Sequence, residues 1–327
     1  MIGNPSDGYF GKTISFTFSD FHAEVVLYQT PELEILPSAR DHSRFLSIHD
    51  LHRDVRRHGY YGGIRLLKAA VKRFYDYCHD SHIELDDRNF TIRYSSNIPA
   101  QVGLAGSSAI ITACMRALMS FYQVTIPKPI LANLVLSVEA SELGIPAGLQ
   151  DRVSQAYEGL VYMDFSKELL DRQGYGRYEE MDLALLPPLY IAYRPELAEG
   201  TEVFHNNIRA RWENRDPQVV AAMSEWAEYA EKVRTLLLQG RGDQIAPLVD
   251  ANFDLRRRIY RISSSNIQMV ETARSAGASA KFTGSGGAIV GTYKDEAMYK
   301  KLEAALTGIG IRVFKPKLVH STGEAAI

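Results

Sequence analysis

Apolar residues recur along the chain with a period near two in some stretches and three to four in others, which divides it into strands and helices. Thr13 to Phe18, Ala23 to Tyr28 and Phe90 to Tyr94 are rich in β-branched and aromatic residues and predict strands. Gly63 to Tyr77 carries apolar residues at helical spacing. Ile110, Ile111, Cys114, Ala117, Leu118 and Phe121 recur at three- and four-residue steps, on one helix face. Leu131, Leu134, Val135 and Val138 do the same just before Glu139, and Gly159 to Phe165 returns to strand character. Pro187-Pro188 breaks the pattern, because proline fixes φ and lacks an N–H, and Leu189 to Tyr193 reads as a new strand. A long amphipathic helix follows through Val219, Val220, Met223, Trp226, Ala227, Ala230, Val233 and Leu237. Another helix runs through Arg258, and then come helix, glycine loop, strand, helix and strand. This alternation predicts an α+β protein of two domains. The proline pair sets the boundary, giving domains over 1–186 and 187–320 and a short tail, 321–327.

Composition narrows the class. The 327 residues are 46% hydrophobic and 23% charged, as in a soluble globular protein. A net charge of −2 argues against a nucleic-acid surface. No apolar run approaches a membrane span, and the expected compartment is the reducing cytoplasm. The two cysteines, Cys78 and Cys114, lie far apart in helical patterns, so neither a disulfide framework nor a zinc site is expected. Six of the nine histidines fall between His42 and His82, but no cysteine accompanies them and no metal site is expected there.

Candidate chemistry lies in two glycine-rich loops. Ile98-Pro99-Ala100-Gln101-Val102-Gly103-Leu104-Ala105-Gly106-Ser107-Ser108-Ala109 leads into an apolar helix. Glycine lets the backbone approach a ligand closely, and the helix start offers unpaired N–H groups to an anion. The two serine hydroxyls suit phosphate oxygens or magnesium. Lys281-Phe282-Thr283-Gly284-Ser285-Gly286-Gly287-Ala288-Ile289-Val290-Gly291 holds four glycines in eight residues, more than a tight bend needs. Such a loop can pack against the first and close over a triphosphate.

These motifs resemble those of the galactokinase–homoserine kinase–mevalonate kinase–phosphomevalonate kinase (GHMP) superfamily. Pro99 to Ala109 resembles its second signature, Gly284 to Gly287 its third, and Gly3-Asn4-Pro5-Ser6-Asp7-Gly8-Tyr9-Phe10-Gly11-Lys12-Thr13 the later half of its first. All three stand in family order, and the resemblance runs to about Val319. It implies an amino-terminal domain like the second domain of ribosomal protein S5 and a ferredoxin-like carboxyl-terminal domain. It also implies ATP as co-substrate and magnesium. Narrower similarity, to the members that phosphorylate the anomeric oxygen of glucuronate, is carried by Gly3-Asn4-Pro5-Ser6-Asp7, Gly59-Tyr60-Tyr61-Gly62-Gly63, Ala147-Gly148-Leu149-Gln150-Asp151-Arg152-Val153, Val161 to Lys167 and Asn252-Phe253-Asp254-Leu255-Arg256-Arg257-Arg258. The implied partners are therefore a small sugar acid and ATP, with no nucleic acid and no membrane. Other acceptors, a heptose phosphate or galactose, and a ligand-binding relative without catalysis stand as alternatives.

The resemblance implies a role for each residue. Pro99, Gly103, Leu104, Ala105, Gly106, Ser107, Ser108 and Ala109, with Gly284, Ser285, Gly286 and Gly287, would hold the nucleotide. Ser108 and Glu139 would bind magnesium, although Glu139 also reads as a solvated helix carboxylate and Glu142 lies one turn on. Asp151 would be the catalytic aspartate; its bland reading is a helix cap. Asp7 would bind sugar hydroxyls, or merely stabilise a turn. A carboxylate on the sugar calls for a bidentate cation, for which Arg256 and Arg257 are the candidates, ahead of Arg209 and Arg211. Family members carry a strand before the first signature with a basic residue near the catalytic aspartate. Only Met1 and Ile2 precede Gly3, so that strand is expected to be missing and its sheet neighbour unpaired.

Overall fold

The computed structural model describes residues 1–38, 41, 47, 62–195 and 208–320. His42, His49, His52 and His58, the Gly59-Tyr60-Tyr61 stretch and the tail from 321 lie outside these described residues. The chain forms two compact units that interleave in sequence. Met1–Asp20, Pro99–Leu104 and the described residues from Tyr157 on make the first, and Phe21–Ile98 with Ala105–Ala156 the second. Residue 186 falls inside the first unit.

The first unit contains two antiparallel sheets. In one, β1 (Lys12–Phe16), β5 (Leu160–Asp164) and β6 (Arg177–Met181) lie in the order β1-β5-β6. Ile2 pairs antiparallel with Ile14 of β1, each N–H donating to the other's carbonyl at 3.0 Å. β5 is buried at all five positions, as its apolar run requires. The predicted stripe of Val219, Met223, Trp226, Ala230, Val233 and Leu237 on helix α7 (Pro217–Leu238) forms one core with Ile2, Ile14 and Tyr162. Asp216 caps α7 by accepting from the Gln218 N–H at 2.9 Å, and Pro217 fits the first turn, where no N–H partner is lost. The second sheet has the order β10-β7-β9-β8, from β7 (Leu189–Tyr193), β8 (Lys281–Phe282), β9 (Ala288–Thr292) and β10 (Arg312–Phe314). Tyr190, Ala192 and Ile289 of this sheet share a core with Phe253 of α8 (Ala246–Ile259), Met269 and Val270 of α9 (Ser264–Ser275), and Leu302 and Leu306 of α10 (Glu296–Thr307).

The second unit has a three-stranded sheet in the order β2-β4-β3, from β2 (Ala23–Thr30), β3 (Glu34–Ile35) and β4 (Asn89–Ser96). β2 and β4 are antiparallel, and β3 joins β4 in parallel. Helices α1 (Gly63–Asp80) and α2 (Gly106–Tyr122) pack on one another, and α2 packs on β2. Helix α3 (Lys128–Ser137) runs into one π-helical turn, Val138–Glu142, and α4 (Leu149–Tyr157) follows; α5 (Lys167–Gln173) and α6 (Ile208–Glu213) belong to the first unit. Cys78 and Cys114 are free and buried, and burial pushes the Cys114 thiol up to about 12. The α+β class and the main elements read from periodicity are those observed. Among the described residues, no helix is long and apolar enough to cross a membrane.

Candidate functional site

The candidate side chains fall into two clusters, one in each unit. In the second unit, α2 starts directly after Ala105, a non-glycine residue held at φ 56°. The Ala105 carbonyl accepts from Gln155 Nε2 and Ser108 Oγ, both at 3.1 Å, which fixes this corner. Ser108 is fully buried, and its hydroxyl turns back into the helix start. The hydroxyl that faces Glu139 belongs to Ser107, which donates to Glu139 Oε1 at 2.6 Å. Glu139 sits in the π turn with 0% exposure; such turns displace one residue from the α register and recur at functional sites. Its other oxygen, Oε2, accepts from Arg152 Nε at 2.7 Å and from Arg152 Nη2. Arg152 Nη1 donates to the Gly148 carbonyl at 3.0 Å and reaches Asp151 Oδ2 at 3.4 Å. Asp151, in the first turn of α4, keeps 40% of its side chain exposed. Sequence reasoning missed Arg152, whose only signal was its place beside Asp151.

These residues fit a magnesium ion. Magnesium takes hard oxygen ligands and is usually held by one or two carboxylates together with substrate phosphates and water. Ser107 Oγ and Glu139 Oε1 are such a pair, already 2.6 Å apart. Among the described residues no group of three or more His, Cys, Asp or Glu side chains is placed to hold a metal ion.

In the first unit the two glycine loops pack against one another. Thr283 Oγ1 donates to the Gly103 carbonyl at 3.0 Å. Gly103 has φ +69°, and a Cβ built there would come within 2.9 Å of the Gly286 carbonyl; one on Gly284 would lie 3.0 Å from the Gly103 carbonyl. The close approach of the loops therefore requires glycine. A buried polar chain holds the turn that carries Asp7. Trp226 Nε1 donates to the Asn252 carbonyl at 3.0 Å. Asn252, in turn, accepts from the Gly3 N–H at 2.8 Å and donates to the Asn4 carbonyl at 3.1 Å. Asn4 Nδ2 donates to the Thr283 carbonyl at 3.0 Å, and Asn4 Oδ1 accepts from Lys281 Nζ at 2.5 Å. Neither Asn252 nor Lys281 stood out by composition.

Lys281 is only 1% exposed. Burial, and then the Arg256 charge, holds its amine well below the ordinary 10.5. The folded chain binds this proton less readily than the unfolded chain, so stability rises with pH between the lowered value and 10.5 and is lost as pH falls through the lowered value. Denaturation curves of the parent and Lys281→Met between about pH 7 and about pH 10 should show the parent gaining on the variant as pH rises. Parallel pH profiles would refute this linkage.

The arginines of α8 and their rivals occupy different settings. Arg256 is buried, donates from Nη1 to the Gly284 carbonyl at 2.8 Å, and lies over the rings of Tyr260 (5.1 Å) and Phe282 (5.4 Å). Burial lowers its affinity for its proton. Arg257 lies on the exposed side of α8, bonded to Glu271 at 2.9 Å, and Arg258 pairs with Glu225 at 3.4 Å. Arg211 is held by Asp216 at 2.7 Å, and Arg209 lies over the Tyr9 ring at 4.8 Å. Burial pushes the Tyr260 hydroxyl up to about 12, and the charges that act on it come from Arg256, Tyr9, Asp7 and Arg209. Asp7, on the Ser6–Tyr9 turn, therefore shares its surroundings with Tyr260 and Arg256.

This fold, with interlocked glycine loops and a serine–glutamate pair at a helix start, is that of a small-molecule kinase, and the chain belongs to the GHMP kinase superfamily. The family model "GHMP kinases N terminal domain" matches residues 65–159. At the level of individual proteins, the chain is 46% identical over 296 residues to Glucuronokinase 1 of Arabidopsis thaliana, covering 89% of this chain and 81% of that protein. It is 47% identical over 297 residues to Probable glucuronokinase 2 of the same plant, with the same coverage. Among solved structures, Lactococcus lactis galactokinase complexed with galactose aligns with a TM-score of 0.74 at 15% identity, over 97% of this chain and 90% of that one. Methanococcus jannaschii mevalonate kinase aligns with a TM-score of 0.69 at 21% identity, over 98% and 95%. GHMP kinases use ATP as co-substrate, generally with magnesium.

Proposed function

We propose that this chain transfers the γ-phosphoryl group of ATP to the anomeric hydroxyl of D-glucuronate, giving glucuronate 1-phosphate and ADP. The carrying observation is the 46% identity to a glucuronokinase over 296 residues. The geometry agrees with it: Arg256 is a buried cation with no carboxylate bonded to it among the described residues, as a protein built for an acidic sugar needs.

Phosphoryl transfer asks a protein to position the reactants and stabilise charge. In this reading the amides of the two glycine loops bind phosphate oxygens. Ser107 and Glu139 would hold the metal, while the buried Ser108 hydroxyl fixes the helix start beside them. When bound, magnesium would neutralise charge on the phosphate oxygens. Asp7 orients sugar hydroxyls. Asp151 accepts the proton of the anomeric hydroxyl as that oxygen bonds to the γ-phosphorus, and the bond from the γ-phosphorus to the bridging oxygen of ADP breaks. The hydroxyl proton ends on Asp151 and the electron pair of the broken bond leaves with ADP.

The test is turnover by purified protein with ATP, magnesium and a panel of glucuronate, galacturonate, glucose, galactose and a heptose phosphate. Glucuronate should give the highest kcat/KM, and the product should be acid-labile, as an anomeric phosphate is. Preference for a neutral sugar would overturn the substrate assignment while leaving the kinase reading intact.

A further inference from the structure

The first unit contains a cavity of about 390 Å³ beside the two glycine loops. Its wall includes Arg256, Tyr260, Arg261, Asn266, Phe282 and Ser285, and it touches both Gly103 and Gly286. Small-molecule cavities run from about 300 to 1,000 Å³, so this one is at the small end, the size of a single sugar ring rather than a nucleoside triphosphate. Two arginines line it and no aspartate or glutamate does. Neither arginine is ion-paired among the described residues, unlike Arg257, Arg258, Arg211 and Arg274. The cavity therefore carries two positive charges that nothing in its own wall neutralises; the carboxylate that acts on Arg256, Asp7, lies outside that wall.

The two arginines differ in kind. Arg256 is 7% exposed, and its guanidinium is held by the Gly284 carbonyl and stacked on Tyr260 and Phe282, which fixes its plane. Arginine presents five donors in a rigid fork, and one bond to Gly284 leaves others for a planar anion. Arg261 is exposed, at the rim. A neutral sugar hydroxyl gives poor return for keeping a guanidinium buried; a carboxylate neutralises it and accepts two parallel bonds.

Resting on the glucuronate reading above, we propose that this cavity is the carboxylate subsite: Arg256 grips the uronate group, Arg261 closes its outer side, and these two set the preference for a sugar acid over a neutral sugar. Tyr260 and Phe282 supply the apolar wall, and Arg257, bonded to Glu271 outside the cavity wall, takes no part.

A phosphate of ATP has the same chemistry as a carboxylate at such a site, so the experiment separates the two. Steady-state kinetics of the parent, Arg256→Lys and Arg261→Met are measured with glucuronate and with glucuronamide, its uncharged isostere, alongside KM for ATP and melting temperature. Arg256→Lys keeps the charge and loses the fork, which preserves folding better than truncation. The expected result is a fall in kcat/KM for glucuronate of about tenfold or more in Arg256→Lys, and a smaller fall in Arg261→Met. Glucuronamide should change by less than about threefold, a small share of the loss of a charged hydrogen bond, and KM for ATP and melting should be unchanged in Arg261→Met, which leaves the Arg256–Gly284 bond in place. Equal losses for acid and amide would overturn the proposal, since a role in shape alone gives that pattern. A rise in KM for ATP with either sugar in Arg261→Met would assign the cavity to the nucleotide instead. A parent that phosphorylates glucuronate while both variants keep its acid-to-amide ratio removes the carboxylate subsite alone. A parent that neither binds nor phosphorylates glucuronate removes the substrate reading, and this inference with it.

Discussion

Asp151→Asn should fold, bind ATP with magnesium as the parent does, and turn over at least about 100-fold more slowly, because a lost general base typically costs about 10²–10⁴-fold. Asparagine keeps the size of aspartate and can still accept from Arg152 Nη1, which reaches the carboxylate at 3.4 Å. With 40% of its side chain exposed, Asp151 is not part of the packed core, so the substitution leaves no buried group unpaired. The loss should fall on kcat, with KM for the sugar and the nucleotide little changed, since proton acceptance matters only as the new bond forms. Rapid-quench turnover, nucleotide calorimetry and melting measured on one preparation check this. Turnover within a few-fold of the parent would remove Asp151 from catalysis and return it to the first turn of α4 as a helix-start carboxylate.

Arg152→Met should strongly destabilise the second unit. Glu139 is fully buried and Arg152 has 8% of its side chain exposed, so water cannot replace the guanidinium. Removing one partner of a buried ion pair costs about 3–5 kcal/mol, because the other charge stays behind uncompensated. Ser107 alone, one hydroxyl donor, cannot offset that. Urea unfolding of Arg152→Met, Glu139→Gln and the double variant reads the coupling directly. The double variant should recover much of the loss seen in Arg152→Met, since the stranded charge is gone. A loss below about 1 kcal/mol in Arg152→Met, the range of a surface pair, would show that the pair contributes to chemistry and not to folding.

The sequence was informative where burial imposes a period. The stripe from Val219 to Leu237 became one side of a core, and Leu189 to Tyr193 became a strand with the same limits. β6 did not announce itself: Arg177-Tyr178-Glu179-Glu180-Met181 is a polar sheet edge with no buried position, so no alternation marks it. The glycine loops were legible because close backbone approach leaves a compositional trace, and Thr283 meets Gly103 as that composition suggested. The partners of single polar groups were not legible. Which of Ser107 and Ser108 faces Glu139 depends on the corner at Ala105, and which of three consecutive arginines is buried depends on how α8 is rotated against Phe282. Arg152 joins residues 13 apart in sequence, and Asn252 joins residues 248 and 249 apart; neither separation has a periodic signature.

The interleaving of the two units has a consequence for biosynthesis. The Gly3–Asp7 turn is held by Asn252, Lys281 and Thr283, and β1 pairs with β5, so the opening residues are among the first made and the last secured. Every described residue of the second unit lies between 21 and 156, so that unit is fully synthesised while the first still lacks its helices α7 to α10. At about 5–20 residues per second, the roughly 100 further residues to the end of α8 take on the order of 5–20 seconds. For that interval Met1, Ile2 and Ile14, each buried in the finished protein, have no core to join. Over that interval these three apolar residues await the helices that cover them in the finished protein, the kind of exposure that favours off-pathway association during synthesis of multidomain chains.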